Sequence, residues 1–116
     1  MHIQTKPCGN VMLVEIRGRV VEGDPAEKLN KALRALISDN RFNTIVDMQG
    51  VEWFDSTGIE ILVAHYLAVV KQGGRILFLK ASDRVKHLFR LVRLDDRFGW
   101  AESLEDALAW FDAPTT

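Results

Sequence analysis

The sequence predicts a single α/β domain in which a mixed β-sheet is packed against about four helices. Apolar runs of strand length alternate with amphipathic segments of helix length along the whole chain. The 116 residues are enough to bury one hydrophobic core without additional cross-links. Cys8 is the only cysteine, so we expect no internal disulfide and no thiolate metal cluster.

The first half of the chain predicts two strands separated by a helix. Residues 11–17 are mostly apolar and are followed by Gly18, which is typical of a well-buried strand. Asp24 is predicted as the N-cap of the next helix, with Pro25 at its first position. Residues 44–48 are apolar on both faces, which predicts a central strand.

The second half predicts strands and helices that alternate. The strands are assigned to residues 75–80 and 98–101. The first predicted helix of this half begins at Ile59 and ends at Gly73-Gly74. The second begins after its cap, Ser82. The third begins after its cap, Ser103, and ends at Pro114. The whole order is roughly β, β, α, β, α, β, α, β, α, and the strand–helix–strand units predict right-handed crossovers between parallel strands.

The first helix of this half predicts how the core is packed. Its apolar residues recur at helical spacing, so one face is expected to be buried against the two middle strands. The expected contacts join Ile59, Leu62, Val63 and Tyr66 to Ile45-Val46 and to Ile76-Leu77-Phe78.

Charge and hydropathy argue against nucleic-acid and membrane partners. The net charge of −1 provides no global field for a polyanion. The longest apolar run, residues 61–70, is too short to span a bilayer, and the N-terminus lacks the apolar core of a signal peptide. A cytoplasmic location follows as the expectation. One basic stripe is interrupted by acidic residues and is interpreted as a solvated helix face: Lys86, Arg90, Arg93 and Arg97.

The most informative segment is residues 51–58, between a predicted strand and a predicted helix. In one interpretation Thr57 is the N-cap and Glu60 its capping-box partner, which leaves the Ser56 hydroxyl free to point outward. In the other, Ser56 is itself the cap and has only a structural role. Gly58 indicates a close backbone approach or an unusual dihedral angle.

Two aromatic residues, Trp53 and Phe54, precede this turn. Core packing is the more common role for such residues, although one of them is also compatible with a position beside a docking surface.

The sequence predicts no catalytic residue, no metal site and no cofactor. A nucleophilic Ser56 would need a base, and His65 lies roughly 13 Å away along the same helix. His87 is expected on a solvated helix face, and His2 is the remaining histidine. Three carboxylates lack the spacing of a cation-binding loop and are explained as caps or turns: Asp24, Asp47 and Asp55.

The chain resembles the STAS domain family, and within it the anti-sigma factor antagonists. The resemblance is carried by Ile45-Val46-Asp47-Met48, Val51 with Phe54-Asp55-Ser56-Thr57-Gly58-Ile59, Gly73-Gly74, Val85 with Leu88-Phe89 and Leu94, and Ser103-Leu104-Glu105-Asp106-Ala107-Leu108. It covers the chain from about residue 11 to 111, within a domain assigned to residues 1–116. It implies a mixed sheet packed on one face by helices, and an activity of binding rather than catalysis.

The resemblance also implies a mechanism of partner switching. The unphosphorylated domain is expected to bind an anti-sigma factor with serine-kinase activity, which then releases its sigma factor. That kinase phosphorylates Ser56, and a serine phosphatase reverses the modification. Loops that leave neighbouring parallel strands share one edge of a sheet, so we expect the partner-binding residues to be Glu22, Asp24, Asp55, Ser56, Thr57, Gly58 and Glu60.

One departure from the family pattern leaves an alternative open. The family has Gly-x-Leu-Asp in the loop before the first helix, whereas Val21 stands at the Asp position here. Glu22 or Asp24 is a candidate substitute. The alternative function is a STAS subunit of another assembly, such as a lipid-transport complex, and a small serine hydrolase is a distant third.

Overall fold

The computed structural model describes residues 1–112 and contains five strands and four helices within that range. The strands are β1 (His2–Cys8), β2 (Val11–Val20), β3 (Thr44–Phe54), β4 (Ile76–Leu79) and β5 (Gly99–Ala101). The helices are α1 (Asp24–Ser38), α2 (Ser56–Val70), α3 (Asp83–Leu91) and α4 (Leu104–Asp112), with a short 3-10 turn at Asp95–Arg97. This order of elements confirms the predicted α/β class. Pro114, the predicted end of α4, lies outside the described residues.

The five strands form one mixed sheet in which every strand pairs with its neighbours in the sequence. The order is β1-β2-β3-β4-β5. The β1–β2 pair is antiparallel, and the β2–β3, β3–β4 and β4–β5 pairs are parallel. Each parallel pair is joined by one helix, as the predicted crossovers require.

Three helices cover one face of the sheet. Because α1, α2 and α3 each connect one parallel strand to the next in the same direction, right-handed crossovers place all three on the same side. The core beneath them includes Val46, Leu62 and Phe78, which have no exposed surface. Phe78 and Phe89 also contact Phe98, with ring centroids 5.0 and 5.1 Å apart.

Helix α4 covers the opposite face, so the expectation of helices on one face only was wrong. A second apolar cluster joins Ala107 of α4 to Leu13, Ile45 and Leu77 of the sheet. The physical reason is alternation along the strands. Ile45 and Leu77 point away from α1–α3, and without α4 their side chains would face water.

The predicted packing of α2 is therefore confirmed in part. Ile59 and Leu62 are buried, whereas Val63 and Tyr66 are partly buried against the same cluster. Of the strand residues that were predicted beneath α2, Val46, Ile76 and Phe78 belong to the same cluster. Ile45 and Leu77 point to the opposite face and pack with α4.

The predicted caps of α3 and α4 are confirmed, whereas the predicted cap of α1 is wrong. The hydroxyls of Ser82 and Ser103 accept the N–H groups of Val85 and Asp106 at 3.2 and 3.1 Å, which confirms both predicted caps. Asp24 is not the N-cap of α1, because the helix already begins at Asp24. Gly23 takes the cap position with φ 102°, a conformation that suits glycine, and no side chain caps this helix.

Strands β2 and β3 extend beyond the rest of the sheet. The parallel pairing β3–β4 stops at Asp47, opposite Leu79, but β2 and β3 stay paired as far as Val20 and Phe54. The prediction that β3 ends at Met48 was therefore too short. The last residues of β3 project roughly 20 Å past Asp47 at about 3.3 Å per residue. This projection carries the segment before Ser56 beyond the paired end of β4.

Candidate functional site

Connecting segments gather at the edge of the sheet where the parallel strands end. The β2–α1 loop consists of residues 21–23, and the β3–α2 connection is Asp55 alone. All of the predicted partner-binding residues lie in these two connections or in the first turns of the helices that follow: Glu22, Asp24, Asp55, Ser56, Thr57, Gly58 and Glu60. Their role in binding stays a prediction.

The Asp55 carboxylate joins the two connections. Its Oδ1 accepts the N–H of Gly58 at 3.2 Å, and its Oδ2 accepts the N–H of Glu22 at 3.0 Å. The Asp55 N–H in turn donates to the carbonyl of Val20 at 3.1 Å. One side chain therefore fixes the β2–α1 loop against the start of α2.

Asp55 is also the N-cap of α2, so both predicted capping schemes were wrong. The Thr57–Glu60 capping box is not formed, and Ser56 is not the cap. The reason is the length of β3. Because the strand continues to Phe54, the helix begins at Ser56, and the residue between the two elements takes the cap position.

Ser56 is exposed at the first position of α2. Among the residues that the structure describes, no side-chain hydrogen bond holds its hydroxyl. The N–H groups of Ser56 and Thr57 have no acceptor within the helix, as at any helix start. Ser56 therefore presents a hydroxyl to solvent at the positive end of the helix dipole. Of the two roles left open for Ser56, the structure excludes that of the helix cap, because Asp55 supplies the cap.

Gly58 lets the helix start pack tightly on the end of the ribbon formed by β2 and β3. A Cβ at this position would lie 2.8 Å from the Phe54 ring and 3.0 Å from a methyl group of Val20. Gly58 does not have a positive φ, so the close approach, and not an unusual dihedral angle, explains the glycine. Thr57 beside it is partly buried, and Glu60 one turn later is exposed.

The β2–α1 loop presents two exposed carboxylates, Glu22 and Asp24. Glu22 contacts Asp55 through its backbone N–H, which leaves its side chain directed elsewhere. Val21, at the family's Asp position, is partly buried and its carbonyl accepts the Ala26 N–H at 3.1 Å. The acidic character of this edge therefore comes from the residues around Val21.

A basic and aromatic group at the same edge was not predicted from the sequence. Phe54 is buried in the core, whereas Trp53 keeps 38% of its surface exposed. The guanidinium carbon of Arg84 lies 3.8 Å from the centre of the Trp53 ring, and that of Arg19 lies 6.0 Å from it. The only signal in the sequence was the ambiguous Trp53, because Arg84 lies far from it along the chain.

The histidines lie outside this arrangement. His65 is buried in α2, and burial lowers its pKa from 6.5 to about 4. Its Nε2 has no hydrogen-bond partner among the described residues. His87 is exposed on α3, as predicted. Within residues 1–112 no histidine hydrogen-bonds to Ser56, so the arrangement there lacks the serine–base contact of a nucleophile.

Metal ligands and membrane spans are likewise not found in the part of the chain that the structure covers. No three His, Cys, Asp or Glu residues of that part are grouped as a metal site would require. Asp47 accepts the N–H of Gln49 at 3.0 Å, a local contact within β3 and not the turn that was predicted. No described helix has the length and apolar character needed to cross a membrane.

Comparison with known proteins identifies a family. A model described as STAS domain matches residues 2–107. The chain is similar to an anti-sigma factor antagonist from Mycobacterium paratuberculosis, with 24% identity, a TM-score of 0.83, and coverage of 97% of this chain and 94% of that one. It is also similar to a sulfate transporter family protein from Wolinella succinogenes, with 24% identity, a TM-score of 0.73, and coverage of 89% and 85%.

A third similar protein, the anti-sigma factor antagonist SpoIIAA of Bacillus, has been solved in two states. The unphosphorylated form has 14% identity and a TM-score of 0.78, covering 97% of this chain and 100% of that one. The phosphorylated form has 14% identity and a TM-score of 0.79, covering 95% and 99%. At these identities the likeness establishes a shared fold.

Proposed function

Given that this chain belongs to the STAS domain family, we propose that it is an anti-sigma factor antagonist controlled by phosphorylation of Ser56. Unphosphorylated, it binds an anti-sigma factor, which then releases its sigma factor. The observation that carries the proposal is the exposed Ser56 hydroxyl on the first turn of α2, beside a cap that Asp55 supplies. Because Asp55 caps α2, the Ser56 hydroxyl is not used for capping and is available for modification.

The local chemistry supports a phosphate at this position. The first turn of a helix offers free N–H groups and the positive end of the dipole, which together stabilise an anion by about 0.3–1 kcal/mol. The modification is therefore compatible with the folded domain. SpoIIAA supports the same view, since this chain superposes about equally well on its unphosphorylated and phosphorylated forms.

The effect of the phosphate is expected at the interface with the partner. A phosphoserine adds about −1.5 to −2 charges. Exposed carboxylates flank Ser56 along the chain, on Glu52 and Glu60, and Glu22 adds another on the loop that Asp55 binds. A partner that approaches this edge closely must then accommodate a strongly negative surface, and binding weakens. A cytoplasmic location, the kinase activity of the anti-sigma factor and an opposing serine phosphatase are parts of this proposal.

The test compares four forms of the protein in binding a kinase-type anti-sigma factor. The unmodified domain and Ser56→Ala are expected to bind, whereas the phosphorylated domain is expected to bind at least about tenfold more weakly. Ser56→Asp should reproduce this only in part, because it supplies one charge. Ser38→Asp is the matched control, since Ser38 is exposed at the far end of α1. Equal affinity of the phosphorylated and unmodified forms, measured by titration calorimetry, would contradict the proposal.

The docking surface is tested with a second pair of variants. Glu22→Lys changes the charge beside the Asp55 bridge and should slow association with the partner. Arg90→Glu makes a comparable change in the last turn of α3 and should have little effect. If Arg90→Glu slows association and Glu22→Lys has no effect, the partner binds a different side of the domain from the one proposed.

A second candidate is a STAS subunit of another assembly, such as a lipid-transport complex. Two observations favour it, namely Val21 at the family's Asp position and the similarity to a sulfate transporter family protein. Capture with the Ser56→Ala protein separates the two candidates. An anti-sigma factor in the captured complex favours the first, and a transporter component favours the second.

A further inference from the structure

Trp53 is the centre of a small cationic group at the edge of the sheet that carries Ser56. The Arg84 guanidinium lies directly against its ring, at 3.8 Å, and the Arg19 guanidinium lies at 6.0 Å. Arg19 and Trp53 are partners in the β2–β3 pairing, and Arg84 belongs to the first turn of α3. Three elements thus contribute one side chain each to a group that we call the Trp53 cluster.

The two arginines of the Trp53 cluster have no acidic partner within residues 1–112. Neither takes part in an ion pair or a side-chain hydrogen bond there. Both are exposed, as is the Trp53 ring between them. A guanidinium over the face of an aromatic ring still has its N–H groups free for an acceptor, because the ring contact uses the face of the guanidinium and not its N–H bonds. The cluster therefore offers oriented donors to solvent.

The position of Arg84 runs against the local electrostatics of its helix. A cation in the first turn is disfavoured by the helix dipole, which prefers acidic residues there. Asp83 beside it follows that preference, and Arg84 does not. A residue that is unfavourable for its own helix is commonly kept because it takes part in a functional site.

The Trp53 cluster is continuous with the Ser56 site. Trp53 precedes Phe54 and the Asp55 cap, and Arg19 precedes Val20, whose carbonyl accepts the Asp55 N–H. The edge of the sheet thus has an acidic part, made by Glu22, Asp24 and Glu60, and a basic aromatic part beside it. Aromatic residues and arginine are the types most often found at the energetic centre of protein interfaces.

We propose that the Trp53 cluster binds a carboxylate of an acidic segment on the partner protein. The planar donors of Arg19 and Arg84 match a carboxylate in geometry and in charge. A nucleic acid fits less well, because its continuous phosphate backbone would extend past the two arginines onto the neighbouring carboxylates, whereas a single carboxylate needs to reach only the arginines. The inference rests on the proposed function, since it assigns a chemistry to the partner that docks beside Ser56. Phosphorylation of Ser56 then adds negative charge next to the cluster and weakens the same contact.

The test uses a probe that does not require the partner. The full chain is titrated at low salt with an acetylated, amidated tetraglutamate peptide and followed by NMR. We expect shifts at the Trp53 indole N–H and at the Nε–H groups of Arg19 and Arg84. Arg84→Gln and Arg19→Gln should each weaken the affinity roughly two- to fivefold, the range of an exposed ion pair. Arg90→Gln is the matched control and should leave the affinity unchanged.

The outcomes separate this inference from the proposed function. Shifts centred on Arg90 and Arg93, or binding of inorganic phosphate without binding of the peptide, would overturn the inference. So would undiminished binding of the anti-sigma factor by Arg84→Gln and Arg19→Gln, which leaves the proposed function intact. If the peptide binds the Trp53 cluster equally well before and after Ser56 phosphorylation, the cluster still binds a carboxylate, but the phosphate does not act through this contact.

Discussion

At the scale of single residues, Asp55 has the most consequences. Its two carboxylate oxygens satisfy one N–H of α2 and one of the β2–α1 loop, segments that are far apart in the sequence. Ser56 follows it directly. The geometry in which the Ser56 hydroxyl is presented therefore depends on the neighbouring carboxylate.

We expect Asp55→Ala to lower the free energy of unfolding by about 2 kcal/mol. The substitution removes a helix cap and a second hydrogen bond to a charged acceptor. Asp24→Ala is the control, because Asp24 lies in the first turn of α1 without a side-chain capping bond, and it should cost no more than about 0.3–1 kcal/mol. Urea unfolding of the two variants measures both values, and equal losses would show that the Asp55 bridge contributes little.

The sequence left open whether Ser56 or Thr57 caps α2, and it assigned Asp55 only in general terms to a cap or a turn. Asp55, Ser56 and Thr57 are three consecutive residues with N-cap propensity, so local preference leaves the helix start ambiguous. The choice is made by the pairing of β3 with β2, which runs to Phe54. That register depends on contacts distant in sequence, and it was not predictable from the turn alone.

At the scale of elements, α4 is held to its face of the sheet by one arginine. Arg75 donates from Nη2 to the carbonyls of Trp110 and Phe111 at 3.3 and 3.1 Å. Its guanidinium also lies 4.2 Å from the centre of the Trp110 ring. A cation that binds carbonyls in the last turn of a helix also complements the helix dipole.

We expect Arg75→Ala to loosen α4 without unfolding the rest of the sheet. Loss of the two hydrogen bonds and the ring contact should lower the stability of this helix by about 1–2 kcal/mol. Amide hydrogen exchange in α4 should accelerate correspondingly, by roughly five- to thirtyfold. Arg34→Ala on the exposed side of α1 is the control. Unchanged exchange in α4 would mean that the apolar cluster holds the helix by itself.

The sequence predicted α4 as a helix but not the face that it covers. Ile45-Val46 and Leu77-Phe78 are apolar on both sides, which identifies buried strands without saying what lies on each side. The crossover rule assigns α1, α2 and α3 to one face, but it says nothing of a helix that follows the last strand. Helix α4 is assigned to the opposite face of the sheet only because the apolar side chains of Leu13, Ile45 and Leu77 on that face must be covered.

At the scale of the whole molecule, one buried group links stability to pH. Burial lowers the pKa of His65 to about 4, whereas the unfolded chain titrates it near 6.5. Above pH 6.5 the side chain is neutral in both states and adds no pH dependence to the stability. Between pH 6.5 and about 4 the unfolded state binds the proton preferentially, so stability falls as the pH falls.

We expect the free energy of unfolding to decrease by roughly 3 kcal/mol over this range because of His65 alone. In His65→Leu, which has a similar volume and no titrating group, this part of the decrease should disappear. The measurement is urea unfolding of both proteins at pH 7, 5.5 and 4.5, and the difference between them isolates His65 from the carboxylates. His87→Leu is the control, since His87 is exposed. Parallel curves for the wild type and His65→Leu would refute the linkage.

The strand order also has a consequence for the growing chain. Every strand pairs with the one made just before it, so a chain synthesised from its N-terminus can add each strand to an edge that already exists. The face of Leu13, Ile45 and Leu77 is the exception, because its cover is Leu104–Asp112. Until those residues leave the ribosome, one face of the nascent sheet is covered by helices and the other is an exposed apolar surface. The nascent chain therefore exposes an aggregation-prone apolar face until α4 has been synthesised.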